Sequence, residues 1–178
     1  MLATDQTDIS ILPADRFPDY LGELADLLHA CVAAGASISF VQPFGIEDST
    51  AFWCRKVQPG LADGSRLLFV ARHGGQLAGS VQLNLDTPPN QPHRAEVNKL
   101  IVHPDCRRLG IARSLMLALE REARARGRSL ITLDTRTGDK AEPLYTSLGY
   151  ETAGIVPGFS RDVASDRLDA TTIMYKQI

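Results

Sequence analysis

Residues 100–122 read LIVHPDCRRLGIARSLMLALERE, and this stretch decides the fold. The apolar run at 100–102 has the character of a buried strand and leads into Pro104. Beyond a turn at 103–109, residues 110–126 place Ile111, Leu115, Leu119 and Ala123 at helical spacing on one face, and Gly127 stops the run. The junction is therefore strand, turn, helix. A helix N-terminus offers free N–H groups and the positive end of the helix dipole, which makes it a ready anion site. Gly110 permits a tight turn and close approach of a ligand, and Ala112 is too small to obstruct it. Arg107, Arg108 and Arg113 add positive charge, and Ser114 can donate a hydroxyl. The loop is too short for G-x-x-x-x-G-K-[ST] and lacks the glycines of G-x-G-x-x-G, which disfavours a nucleotide triphosphatase and a dinucleotide dehydrogenase. An ordinary strand–turn–helix with surface arginines fits the same residues. Further along, Glu120–Arg124 and Glu122–Arg126 have the i,i+4 spacing of a solvated helix face.

Working outward, residues 94–102 (RAEVNKLIV) and 129–135 read as strands on either side of that helix, which suggests a parallel pair. Residues 65–73 and 76–84, joined by Gly74-Gly75, read as a β-hairpin. A short strand is expected at 8–12 and a helix at 17–34, with Gly35 closing it. A second helix is expected at 46–62, with Ile46, Phe52, Trp53 and Val57 sharing a face and Pro59 ending or kinking it. TPPNQP at 87–92 is a loop. A helix at 140–148, a strand at 150–156, a loop at 157–169 and a strand at 171–176 complete the chain. The order predicts an α/β (α+β) fold: a mixed, largely antiparallel sheet with a parallel central pair and helices on both faces.

At 178 residues the expectation is one domain over 1–178. With 44% hydrophobic and 22% charged residues, a disordered chain, a collagen and a small disulfide scaffold are excluded. The net charge of −2 does not indicate nucleic-acid binding, although residues 107–128 carry seven Arg against two Glu. Cys31, Cys54 and Cys106 are widely spaced and odd in number, and the four His form no ligand pair, so neither a disulfide framework nor a metal site is expected. The start, MLATDQTDISIL, lacks the features of a signal peptide, and no apolar stretch reaches a membrane span. A cytoplasmic protein is the default expectation.

Two segments carry a resemblance. R-x-x-G-x-A at 107–112 follows a strand ending V-x-P at 102–104, and LYTSLGYE follows at 144–151. In this order and at this distance they resemble the pyrophosphate loop and the L-Y-x-x-L-G-F/Y segment of the GNAT acetyltransferases. A closer resemblance, to the tabtoxin-resistance acetyltransferases, rests on GASISF (35–40), HRAEVNKL (93–100), LDT (133–135), PGF (157–159) and DRLDATTIMYK (166–176). The resemblance implies a sheet splayed between strands 95–102 and 129–135, with acetyl-coenzyme A as co-substrate entering the splay. Main-chain groups of Leu100, Ile101 and Val102 would pair with the pantetheine arm. Arg107, Arg108, Leu109, Gly110, Ile111, Ala112, Arg113 and Ser114 would hold the pyrophosphate. Many GNAT sequences carry Asn six residues before the tyrosine; here it is Asp139, which cannot donate as Asn does. Lys140 could reach the coenzyme's 3′-phosphate or remain an exposed lysine.

Acetyl transfer to an amine with a pKa of about 10.4 requires a base at neutral pH. It also requires an N–H donor for the developing oxyanion and a proton for the leaving thiolate. The resemblance implies Glu96 and Asp134 as the carboxylates that deprotonate the acceptor and Tyr145 as the general acid, with the oxyanion donor near Ile101 or Val102. Each has a plainer alternative: Glu96 pairing with Arg94 or Lys99, Asp134 capping a turn through Thr135 or Thr137, and Tyr145 as a core aromatic. Cys106 is read as incidental because transfer should be direct, and His103 as a turn residue. In this fold the acceptor would lie near Phe40, Phe44, Trp53 and the 157–169 loop, with Arg161 or Arg167 available to a substrate carboxylate. The expectation is a small, amino-acid-like amine acceptor and no nucleic-acid or membrane partner, with a homodimer left open. Protein-amine acetylation and a non-catalytic acyl-coenzyme A sensor are the rivals.

Overall fold

The computed structural model describes residues 7–178; residues 1–6, the first half of the stretch read as lacking a leader, lie outside the described residues. Seven strands form one sheet: β1 (Asp8–Ile11), β2 (Arg66–His73), β3 (Gln76–Asn84), β4 (Arg94–Val102), β5 (Leu130–Arg136), β6 (Glu151–Arg161) and β7 (Leu168–Gln177). Their spatial order is β1-β2-β3-β4-β5-β7-β6, and every neighbouring pair is antiparallel except β4–β5. The expected mixed, largely antiparallel sheet with one parallel central pair is thus the architecture found.

Helices cover the two faces. On one face α4 (Ile111–Ala125) packs Ile111, Leu115, Leu119 and Ala123 against Val81, Ala95, Val97, Ile131 and Leu133. On the other, α1 (Phe17–Ala33), α2 (Ile46–Phe52), α3 (Gln58–Ala62) and the segment 53–57 that joins the last two bury Leu24, Leu28, Trp53 and Val57 with Leu68, Val70 and Ile101. Each fully buried side chain of this size contributes about 1.5–3 kcal/mol relative to exposure. The last helix, α5 (Glu142–Ser147), seats Tyr145 against Tyr150, ring centroids 5.8 Å apart.

Two departures from the sequence reading have physical causes. The 46–62 helix does not end ahead of Pro59: a π-helical segment, Trp53–Val57, widens the coil there, and Pro59 falls in the first turn of α3, where its missing N–H is tolerated. Ile46, expected on the buried face with Phe52, Trp53 and Val57, is instead exposed in the first turn of α2. At the other end of the chain, 157–169 is not one loop. β6 runs on through Pro157 and Gly158 to Arg161, and the pairing with β7 is irregular between Val156 and Ser160, where Gly158 supplies φ +60°.

Two irregularities shape the centre. β4 and β5 are paired only at Arg94↔Leu130, Ala95↔Ile131 and Glu96↔Thr132, after which they diverge. The expected splay is therefore present, and the edge of β4 from 97 to 102 faces no strand. β4 also holds a bulge: Gln82 lies opposite Asn98, but Ser80 lies opposite Ile101. Lys99 absorbs the extra residue at φ +51°. Opposite it, β3 approaches so closely that a Cβ on Gly79 would stand 2.9 Å from the Ile101 carbonyl oxygen and 3.2 Å from Ile111.

Candidate active site

The divergence of β4 and β5 opens a cleft of about 930 Å³. Its floor is the free edge of β4, Val97–Val102. One end is the turn into α4, and the other is formed by residues 36–39, Asp134 and Arg136.

At the α4 end the backbone does most of the positioning. Arg108 (φ +69°) and Gly110 (φ +77°) are both left-handed, flanking the last turn before the helix. Successive N–H groups in such a turn point into one concavity. Gly110 is the N-cap of α4, no side chain caps the helix, and its first turn contains no acidic residue. The N–H groups that a Ser or Asp cap would occupy are left for a ligand. A Cβ at Gly110 would meet nothing within 4 Å, so the glycine is required by its φ and not by packing. Arg107, Arg108, Ile111, Ala112 and Arg113 all line this end, and Arg113 also donates to Ser147 Oγ of α5 at 2.6 Å. Leu109 and Ser114, expected with the loop on sequence grounds, are exposed and are not among the lining residues. Lys140 lines the cleft and is exposed.

Along the floor, Leu100, Ile101 and Val102 present main-chain groups that no β5 partner takes. The Val102 carbonyl accepts from Cys31 Sγ at 3.4 Å. Burial pushes the Cys31 thiol up to about 11, despite Arg107 nearby. It remains protonated at neutral pH and is no nucleophile. Cys106 is buried and accepts from Gln76 Nε2 at 3.5 Å. His103 takes the turn role expected of it, its Nδ1 accepting from the Asp105 N–H at 3.3 Å.

The three candidate catalytic residues are placed differently. Tyr145 lines the cleft and is 6% exposed. Burial, together with the negative charges of Asp134 and Asp139, raises its phenol above the ordinary value near 10. It is therefore fully protonated at neutral pH. Asp134 lines the cleft from β5 and is exposed to it. The Thr171 hydroxyl lies 3.2 Å from Asp134 Oδ2 and 3.0 Å from the Thr135 carbonyl, one proton between two acceptors. Thr137, the alternative partner for capping a turn, pairs with Thr172 at 2.9 Å. Glu96 shares a sheet face with Asp134, because Glu96 pairs with Thr132 and Asp134 follows two residues on. Glu96 is not itself a lining residue: Asn98 Nδ2 donates to it at 3.3 Å and Arg94 stands 3.7 Å away. Asn98 does line the cleft, so it links Glu96 to the cleft wall.

Several lining residues are not singled out by the sequence pattern: Ser37, Ser39, Asn98, Lys99 and Arg136. One signal for them exists. The alternation Ala95, Val97 breaks at Asn98-Lys99, two polar residues in succession, where the bulge falls. Other acceptor-side expectations are corrected. Trp53 is wholly buried, its indole donating to the Leu24 carbonyl at 2.8 Å, so it belongs to the core. Phe44 packs on Phe40, centroids 4.7 Å apart, and Phe40 in turn meets Phe52 at 5.1 Å. Arg167 pairs with Asp169 and Asp162 at 2.8 and 3.2 Å, and Arg161 with Asp166 at 3.3 Å; both guanidiniums lie on the exposed surface of the β6–β7 hairpin and neither lines the cleft. Arg136 stands 3.5–3.6 Å from Asp139, Asp162 and Asp169, and Asp139, in the place of the expected Asn, is thereby engaged.

Comparison with known proteins agrees with this architecture. The family model for the acetyltransferase (GNAT) family matches residues 32–150. An uncharacterized N-acetyltransferase from the hisH-hisA intergenic region of Azospirillum brasilense is 34% identical over 142 residues, 77% of this chain and 81% of the relative. An N-acetyltransferase from Staphylococcus aureus Mu50 superimposes with a TM-score of 0.78 at 17% identity, covering 97% of this chain and 98% of the other. A Salmonella typhimurium protein assigned as an acetyltransferase, solved with its cofactor acetyl-CoA, gives 0.75 at 18% identity over 96% and 93% of the two chains. The last two likenesses establish fold alone. The family match and the Azospirillum relative go further: this chain belongs to the GNAT family and is an N-acetyltransferase.

Proposed function

We propose that residues 1–178 form one acetyl-coenzyme A-dependent N-acetyltransferase domain. In this reading it acts on a small, amino-acid-like amine, by direct attack on the thioester in a ternary complex. The observation that carries this is the cleft itself. An uncapped helix N-terminus suited to a pyrophosphate stands at one end, a carboxylate and a neutral phenol stand at the other, and an unpaired strand edge joins them. The coenzyme's phosphates sit on the N–H groups from 108 to 113, and its pantetheine arm pairs with 100–102 like an added strand. The N–H of Ile101 or Val102 takes the oxyanion. Asp134 takes the proton of the acceptor amine, with Glu96 and Asn98 ordering a water beside it. Tyr145 faces the departing thiolate. A phenol raised above 10 is a weaker acid than a thiol near 8.5, so Tyr145 stabilises the thiolate mainly as a hydrogen-bond donor. The protonated Cys31 agrees with direct transfer without a cysteinyl intermediate.

The tabtoxin-resistance acetyltransferases remain the likeness that suggests an amino-acid-like acceptor. A cytoplasmic location is part of this proposal, compatible with the finding that no described helix is long and apolar enough to cross a membrane. A second reading, acetylation of a peptide amine, is favoured by exposed Ile155, Val156 and Phe159 on β6, an apolar surface that an extended peptide could cover. The test is a panel of amino acids, simple amines and peptides incubated with acetyl-coenzyme A, with free thiol release as the readout. Turnover confined to small amino acids is the expected outcome. Turnover of peptides alone would transfer the proposal to the second reading, and none with any amine would end it.

A further inference from the structure

At the acceptor end of the cleft, Lys99 is a cation that forms no ion pair with any carboxylate among the described residues. The bulge turns it out of the strand's alternation and onto the wall. Its ammonium donates to Ser39 Oγ at 2.9 Å and lies 5.7 Å from the centroid of the Phe40 ring. The neighbouring Arg136 is already neutralised by three aspartates. The half-buried ammonium thus has a hydroxyl and a ring beside it but no carboxylate, and an anion that arrives with a ligand would supply the missing countercharge. Burial lowers the pKa of Lys99, and Asp134 partly opposes that shift through space.

The donor arithmetic points the same way. An ammonium has three N–H donors and no acceptor, and Ser39 takes one of them. Because Ser39 Oγ accepts from Lys99, its own O–H proton remains for another acceptor. The pair therefore offers unused donors on the cleft wall where Ser37, Asn98 and Asp134 also lie. Positive charge at Lys99 and negative charge at Asp134 share one enclosure, an arrangement complementary to a zwitterion.

We propose that Lys99 and Ser39 form a carboxylate-binding subsite, so that the acceptor is a free amino acid or close analogue with its carboxylate on Lys99 and its amine toward Asp134. This rests on the reading of the cleft as an amine acceptor site and names what selects the acceptor. Lys99 is a specificity-determining residue and takes no part in proton transfer.

The test compares amino acids with their carboxamides and methyl esters on the wild type, Lys99→Met, Lys99→Arg and Ser39→Ala. Thiol release gives kcat/KM. Calorimetry with coenzyme A present gives affinity for an N-acetylamino acid and for its amide. The wild type should prefer the acid by at least about tenfold in both measurements, the scale of a charge-assisted hydrogen bond. Lys99→Met should bring the ratio near one at unchanged acetyl-coenzyme A affinity. Lys99→Arg should keep part of the preference, and Ser39→Ala should reduce it even where Lys99→Met proves unstable. Equal treatment of acid and amide by the wild type, or an unchanged preference in both Lys99→Met and Ser39→Ala, overturns the proposal. Absence of thiol release with every amine would sink the acetyltransferase reading of the cleft, while the calorimetric ratio would still decide the role of Lys99.

Discussion

At the α4 end of the cleft, the groups that would meet a ligand are mostly main-chain N–H groups aimed by three backbone conformations: Arg108, Gly110 and the first turn of the helix. At the Asp134 end they are side chains from four separated segments: Ser39 after α1, Asn98 and Lys99 on β4, Asp134 and Arg136 on β5, and Tyr145 on α5. The first end is a local object, complete within about a dozen residues of sequence. The second exists only once the sheet has formed. A backbone site recognises a group that never varies, whereas a side-chain site can be altered one residue at a time without disturbing the strands beneath it.

Substitutions can break this contrast at either end. The largest effect is expected at Asp134. Asp134→Asn keeps the shape and removes the proposed base, so kcat should fall by roughly 10²–10⁴-fold with coenzyme affinity unchanged by calorimetry. Glu96→Gln, one step removed behind Asn98, should cost only about tenfold, below the usual range for a base in direct contact. Equal losses in the two would erase the distinction between direct and indirect carboxylates. At the other end, Gly110→Glu imposes φ +77° on a residue that disfavours it and sets a negative charge at the proposed anion site. Acetyl-coenzyme A affinity should drop by about 100-fold or more, ~2.7 kcal/mol, while circular dichroism stays native, since the new Cβ meets no protein atom within 4 Å. Wild-type affinity in this variant would show that the loop does not bind phosphate.

Two smaller effects sharpen the picture between the ends. Tyr145→Phe retains the ring that packs on Tyr150, and kcat should fall about 10–100-fold, at or below the usual general-acid contribution. An unchanged kcat where chemistry limits the rate would leave Tyr145 a packing residue. The smallest effect belongs to Cys31, whose thiol rises from 9.0 to about 11 on folding. A raised folded value holds the proton in the native state, so its stabilisation is complete below pH 9 and is lost as pH climbs toward 11. Roughly 2–3 kcal/mol should disappear over that window. Chemical denaturation at pH 8 and pH 11 should show Cys31→Ala with a shallower loss than the wild type, and parallel losses would contradict the assignment.

The same contrast explains which parts of the molecule are legible in the sequence. α4, the β2–β3 hairpin and the parallel pair follow from periodicity and from Gly74-Gly75 and Gly127, all signals contained in short windows. β6 beyond Val156 is not legible because Pro157-Gly158 reads as a turn, and only its long partner β7 holds it in the sheet. The π segment at Trp53–Val57 leaves no mark in hydrophobic spacing, so the pattern alone predicts a stop or bend at Pro59. At the site, Arg107–Arg113 are legible as a local motif. Lys99 facing Ser39, 60 positions away, is not, and neither is the capture of Arg161 and Arg167 by aspartates of their own hairpin.

Gly79 does not itself line the cleft, yet it lies against Ile101 and Ile111, which do, and it sets how near the sheet α4 can come. With no side chain there, Ile111 and Leu115 in the first turns of α4 settle within 3.2 and 3.3 Å of the missing Cβ position, directly over the Ile101 carbonyl. The separation between the helix N-terminus and the β4 edge is thus gauged by an absent methyl group. A coenzyme lying across both would sense any shim inserted there, so tolerance to mutation in this enzyme should be governed by a spacer on β3 as strictly as by the residues that bound the cleft.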